Sequence, residues 1–215
     1  GTTALGFTLT EAYSTSEAQL PENLKGRINQ SVARWCFSKI PLEDLCAEAV
    51  KIGLKSVELQ GPEEWPIIQK YGLTCAMPWG AGLGIEKGFN DPKLHDELVA
   101  SYEEIFPKLQ AAGLDKVICF SGNTNGKSSQ EGLENCVKAL ARLMPSAKKY
   151  GITMAMELLN SKVNHKDYQC DHTEWGVKLC DTLGSENFKL LYDIYHMQIM
   201  EGDVIATIKK YHKYI

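Results

Sequence analysis

The sequence is short of the features that mark several large classes of protein. No run of apolar residues approaches the roughly 20 that a membrane-spanning helix needs. No excess of positive charge exists either: the formal net charge is −4 over 215 residues. Nothing therefore favours nucleic acid or an anionic membrane as a partner. No CxxC pair occurs, and the seven cysteines are odd in number, which argues against both a zinc knuckle and a disulfide framework. They are expected to be core thiols. Lysine and arginine are missing before Lys25. The first 24 residues are instead rich in Thr, Ser and Ala. Residues 1–24 are read as an N-terminal arm or the remnant of an export signal. A periplasmic or secreted location follows if residues 1–19 are such a remnant, and a cytoplasmic one otherwise.

What is present is ordinary globular material, 44% hydrophobic and 23% charged, enough for one sizeable core. From Ser31 onward short apolar runs alternate with amphipathic ones. Strands are expected at Ser31–Phe37, Ser56–Leu59, Thr74–Trp79, Lys116–Ser121, Ile152–Leu159 and Phe188–Tyr195. Helices are expected at Pro41–Gly53, Glu63–Tyr71, Lys93–Ala112, Ser129–Tyr150, His172–Leu183 and Val204–His212, most of them closed by glycine. Strands that are apolar throughout are covered on both faces, so the pattern indicates an α/β fold with a parallel sheet. A doubly wound sheet and a (β/α)8 barrel both satisfy it.

Two of the expected strands end in chemistry. The run TMAMELLN delivers Glu157, and FKLLYDIYH delivers Asp193 and His196. Ligands bind at the C-terminal edge of a parallel sheet. Glu157 is then a metal ligand or a general base, against the plain reading of an exposed loop carboxylate. Asp193 suits a hard divalent cation, and His196 a hydrogen bond to substrate or a proton transfer, provided the chain turns after Ile194. The plain alternative makes Asp193 a cap and His196 a polar loop residue. The glycine-rich stretch Gly80–Asn90 matches no phosphate-binding spacing. It reads as a mobile lid with Glu86 and Lys87 reaching inward, or as a surface loop. Asn123 lies in a polar loop suited to a hydroxylated ligand. Trp35, Trp65 and Trp79 are core residues or pocket walls. His95, His165 and His172 match no metal spacing and are expected at the surface.

The segments GAGLGIEKGFN, KVICFSGN, MAMELLNSKVNHKDYQCD and LLYDIYHMQIMEGD resemble hydroxypyruvate isomerase-like proteins. These belong to the xylose isomerase-like TIM-barrel superfamily, alongside the ketose 3-epimerases. The resemblance runs from about Gly26 to the end. It implies a (β/α)8 barrel over residues 25–215, of which about six βα units are present. It implies a divalent metal, Mg or Mn, with Zn or Co as options, held in part by Glu157 and Asp193. Glu157 matches an acid/base glutamate and His196 a substrate-contacting histidine; Trp79, Glu86, Lys87 and Asn123 complete the expected substrate contacts.

The implied reaction is isomerisation of hydroxypyruvate through an enediolate. Alternatives are epimerisation or isomerisation of a larger ketose, or a non-catalytic carbohydrate-binding barrel. An abasic-DNA endonuclease of the same superfamily needs many His ligands, and only five histidines are present. The partner implied is thus a small molecule, with a homo-oligomer by analogy to related barrels. The family's further metal-binding His, a substrate-binding Arg and a second acid/base Glu have no match before HKYI ends the sequence. The expectation is an incomplete barrel with little or no catalysis of its own.

Overall fold

A computed structural model describes residues 28–215. The expected arm therefore lies outside the described residues, and so does the signal that would assign a location. No helix among the described residues is long and apolar enough to cross a membrane.

Among the described residues five strands are regular: β1 (Ser31–Ala33), β2 (Ser56–Glu58), β3 (Lys116–Cys119), β4 (Thr153–Glu157) and β5 (Phe188–Leu191). Every pairing is parallel, with β1 on β2 and with β3–β4–β5 in chain order. The expected strand at Thr74–Trp79 is extended but not regular. It accepts from Val57 N and Leu59 N through the Thr74 and Met77 carbonyls, both at 3.0 Å, and Pro78 O accepts from Ile118 N at 3.2 Å. Pro78 has no N–H to give, which breaks the ladder there. The segment nonetheless joins the two short sheets into one curved surface. Neighbours in space are neighbours in sequence throughout. A doubly wound sheet reverses its strand order at a switch point; this one never does. The architecture is therefore the barrel, in part.

Among the described residues are seven α-helices: α1 (Leu42–Ile52), α2 (Trp65–Lys70), α3 (His95–Ala111), α4 (Ser129–Tyr150), α5 (Thr173–Leu183), α6 (Ile194–Met200) and α7 (Val204–Tyr211). Their ends follow simple chemistry. Ser128 caps α4 by accepting from Glu131 N, and Gly151 closes it in the left-handed region at φ 68°. Pro107 and Pro145 sit within α3 and α4 without ending either helix. The core lies between these helices and the outer faces of the strands, with Val117, Met154, Met156 and Phe188 buried.

All five regular strands are shorter than read, and two of them end where a helical turn begins. Ser31–Phe37 leaves the sheet at Ala33 and becomes a single 3-10 turn over Arg34–Phe37. Phe188–Tyr195 stops at Leu191, because Asp193 starts α6. All seven cysteines are free, and all but Cys36 are buried.

Candidate active site

Strand β4 brings its carboxylate to the site by simple alternation. Met154 and Met156 point outward into the helix layer and are fully buried. Glu157 takes the other face at the C-terminal end, paired in register with Leu191 of β5. Past Leu191 the chain turns inward on Asp193. One carboxylate oxygen of Asp193 caps α6 by accepting from His196 N at 3.0 Å. Its other oxygen lies 4.0 Å from His196 Nε2. The plain reading of Asp193 as a cap and the functional one thus coexist: the cap fixes the side chain and leaves an oxygen over. Glu157, Asp193 and His196 each bring one ligand atom within 4.8 Å of the others.

The electrostatics of this trio are unfavourable as they stand. The Glu157 carboxylate accepts no hydrogen bond among the described residues, and a second carboxylate faces it. Burial, then the charge of Asp193, pushes the Glu157 pKa up to about 8. Burial also lowers the pKa of His196, against the opposing pull of Asp193. Two hard oxygen donors side by side, one without a partner, form a set that a divalent cation or a proton would relieve.

The trio opens into a cavity of about 870 Å³ at the C-terminal ends of the strands. Trp79, Phe120, Met77 and Leu59 give it apolar walls, and Trp79 and Phe120 lie 5.3 Å apart, ring to ring. A smaller, more polar cavity of about 380 Å³ adjoins it and shares Ile85, Asn164 and His165. Among the expected site residues, Glu157, Asp193, His196 and Trp79 therefore meet in the main cavity. Asn123 and Glu86 line the side cavity instead, and Lys87 is exposed. Of the other tryptophans, Trp35 edges the main cavity while largely exposed, and Trp65 is in the core.

The end of the glycine-rich stretch, from Glu86 to Asn90, is hydrogen-bonded to the loop that follows β3. Phe89 N and Asn90 N donate to Phe120 O and Ser121 O at 3.2 and 2.9 Å, and Asn123 N donates to Glu86 O at 3.0 Å. Gly88 meets Gly122 backbone to backbone, where any β-carbon would collide. These glycines serve close approach.

Several residues in or near the site lie outside the expected set. Tyr168 is fully buried; its hydroxyl accepts from Ser121 N and donates to Glu157 O, tying the ends of β3 and β4 together. His165 is half-buried, with its ring 5.2 Å from that of His196, and His95 is buried with Nε2 3.0 Å from Phe89 O. Both differ from the expected surface placement; His172 is exposed. Glu58 ends β2 and lines the cavity. Its signal was available: SVEL is an apolar run closed by an acid, as TMAME is.

The family model described as xylose isomerase-like TIM barrel matches residues 46–215. Hydroxypyruvate isomerase of Escherichia coli is 29% identical over 184 residues, 76% of this chain and 67% of that protein. D-psicose 3-epimerase of Enterocloster bolteae is 24% identical over 155 residues, 66% of this chain and only 50% of its own length. A solved structure described as an AP endonuclease, family 2, from Brucella melitensis superposes with a TM-score of 0.77 at 20% identity. That match covers 87% of this chain and 77% of the other, and it speaks to the fold alone.

Proposed function

The chain belongs to the xylose isomerase-like TIM-barrel family, and on that premise we propose that it contributes to a metal-dependent isomerase acting on a small α-hydroxycarbonyl substrate, with hydroxypyruvate as the leading candidate. The observation that supports this most is the pair Glu157 and Asp193. Two partly buried carboxylates side by side are costly unless the site uses them.

The carboxylates of Glu157 and Asp193 would hold the cation, as hard oxygen donors suited to Mg or Mn. A cation bound there would stabilise the negative charge that develops on the two substrate oxygens. The chain's own residues do the rest. In its ionised form, a Glu157 oxygen removes the proton from the carbon beside the carbonyl. The C–H electron pair becomes the C=C bond of an enediol(ate), and the carbonyl π pair moves to oxygen. Returning the proton to the neighbouring carbon, while the hydroxyl proton on the first carbon passes to the former carbonyl oxygen, completes an isomerisation. In the metal-free chain burial and the charge of Asp193 hold the Glu157 pKa above the ordinary carboxylate range; a cation held beside it would draw that pKa back down and favour the ionised base. His196 presents Nε2 to the same space and donates to a substrate oxygen. The apolar walls of Trp79 and Phe120 keep water from the intermediate.

A second reading is favoured by the cavity itself. About 870 Å³ is ample for a ketose of five or six carbons, and the names of the relatives include a ketose 3-epimerase. Epimerisation needs the same first step, with the proton returned to the opposite face of the same carbon. The test is turnover by the full-length protein with Mg²⁺ or Mn²⁺, comparing hydroxypyruvate with D-ketohexoses. Aldehyde product from the acid supports the first reading, and a C3 epimer the second. No turnover of either, in metal-loaded protein, would favour a non-catalytic binding barrel.

A further inference from the structure

Beneath the carboxylate pair lies a hydrogen-bond network whose donors and acceptors can be assigned without ambiguity. Asn160 is fully buried immediately after β4. Its side-chain oxygen accepts from Val163 N at 3.0 Å and from Asn164 N at 2.9 Å. Two backbone donors fix which end of the amide is oxygen. The amide nitrogen must then face the other way, and it does: Asn160 Nδ2 lies 2.8 Å from Asn164 Oδ1 and 2.6 Å from His196 Nδ1. The Asn160 backbone N–H also donates to His196 Nδ1, at 3.1 Å. Asn164 Oδ1 accepts in addition from Tyr195 OH at 2.9 Å; the orientation of this second amide is fixed by Asn160 Nδ2, which can only donate.

One ring nitrogen of His196 thus faces two N–H groups. It can only accept. A neutral imidazole carries one proton, so that proton sits on Nε2, the atom that faces Asp193 and the cavity. The ring cannot rotate away easily. Tyr195 packs edge-on against it at 5.0 Å and His165 lies 5.2 Å off its centre.

We propose that Asn160 is a positioning residue that holds His196 in its Nε2–H tautomer, so that His196 serves as a hydrogen-bond donor to substrate and not as a metal ligand. A metal-ligating imidazole must offer a lone pair at the nitrogen nearest the metal. Here that pair is on the opposite side of the ring, engaged by Asn160. The trio of Glu157, Asp193 and His196 is therefore sorted into two ligands and one donor by a residue that touches neither metal nor substrate. This inference rests on the reading of the site as a metal-dependent isomerase, but its test does not.

The test is a two-bond ¹H–¹⁵N correlation spectrum of the ¹⁵N-histidine-labelled chain above about pH 7.5, where an imidazole is neutral. Loss of one peak set in His196→Gln assigns the residue. The expected wild-type pattern is a protonated Nε2 and a bare Nδ1, unchanged when Mg²⁺ is added. A protonated Nδ1, or loss of the Nε2 proton to the metal, would overturn the proposal. Asn160→Asp is the sharper probe. It keeps the oxygen that Val163 N and Asn164 N need and replaces the donor at Nδ1 with an acceptor. The expected result is a proton on Nδ1; an unaltered Nε2–H pattern in a folded variant would show that the Asn160 side chain does not set the tautomer. If this variant does not fold, the wild-type spectrum still decides. Failure to turn over any ketose would sink the isomerase reading alone, since the tautomer is read without substrate.

Discussion

Strands β2 and β4 end alike and differ in what meets them. Each is a short apolar run closed by a glutamate, Glu58 in one and Glu157 in the other, and both side chains line the same cavity. Around Glu157 the next strand supplies Asp193 and His196, within 4.8 Å of one another and of the glutamate. Around Glu58 no such cluster of ligand groups forms among the described residues. Its neighbour Gln60 folds back to donate to the Glu58 carbonyl at 3.2 Å, a contact with the backbone and not with the acid. The strand end supplies a position; the following strand decides whether the position becomes chemistry. After β5 that decision rests on Asp193, which caps α6 and so turns the chain inward.

The largest expected effect separates the two acids directly. Glu157→Gln keeps the shape and removes both the base and a metal ligand. Turnover in the full-length protein should fall by about 10²–10⁴-fold, with the circular dichroism spectrum unchanged. Near-normal turnover would remove Glu157 from the reaction.

Next in size is Asp193→Asn, which keeps an oxygen for the cap on α6 but removes the charge beside Glu157. Metal content measured on dialysed protein should drop to background, while stability stays within about 1 kcal/mol of wild type. Full metal stoichiometry in this variant would leave Glu157 without its partner ligand. Asp193→Ala should lose the metal as well and also the cap, at a cost of about 1 kcal/mol in denaturant unfolding.

A smaller effect is the pH dependence of the metal-free chain. Glu157 has a pKa of about 8 when folded, against the ordinary value of 4.5. Between those values the folded state holds a proton that the unfolded state has released. Its contribution to stability is therefore complete below about pH 4.5 and is lost as pH rises to about 8, with a slope of at most about 1.4 kcal/mol per pH unit. Urea midpoints of wild type and Glu157→Gln across this range should converge at low pH and diverge in favour of the Gln variant as pH rises. Parallel curves would mean that the carboxylate is not buried as described.

How much of this was open to sequence reading depends on range. The βα alternation and the two acid-ended strands are local patterns, and both are visible in TMAMELLN and FKLLYDIYH. The boundary at Asp193 was harder, because an apolar run such as LLYDIYH fits a strand or the first turn of a helix. The polar network was out of reach. Asn160 meets His196 36 residues away, and the Tyr168 hydroxyl reaches Ser121 across 47. No spacing rule encodes such contacts. The glycines of Gly80–Asn90 leave two readings open for a physical reason: glycine allows both mobility and close backbone approach, and the sequence does not say which. Here Gly88 against Gly122 shows approach.

The smallest expected effect falls on the other half of the comparison. Glu58→Gln removes a cavity carboxylate that belongs to no ligand cluster among the described residues. Its backbone carbonyl contact survives, since Gln60 Nε2 donates to an atom the substitution leaves in place. Metal content should be unchanged, and kcat should fall less than about tenfold, with the larger change in KM, because the residue lies outside the cluster of Glu157, Asp193 and His196. A loss in kcat as deep as that of Glu157→Gln would make Glu58 a second carboxylate of the reaction. The two strand ends would then be partners across the barrel mouth, and the neighbouring strand would no longer be what distinguishes them.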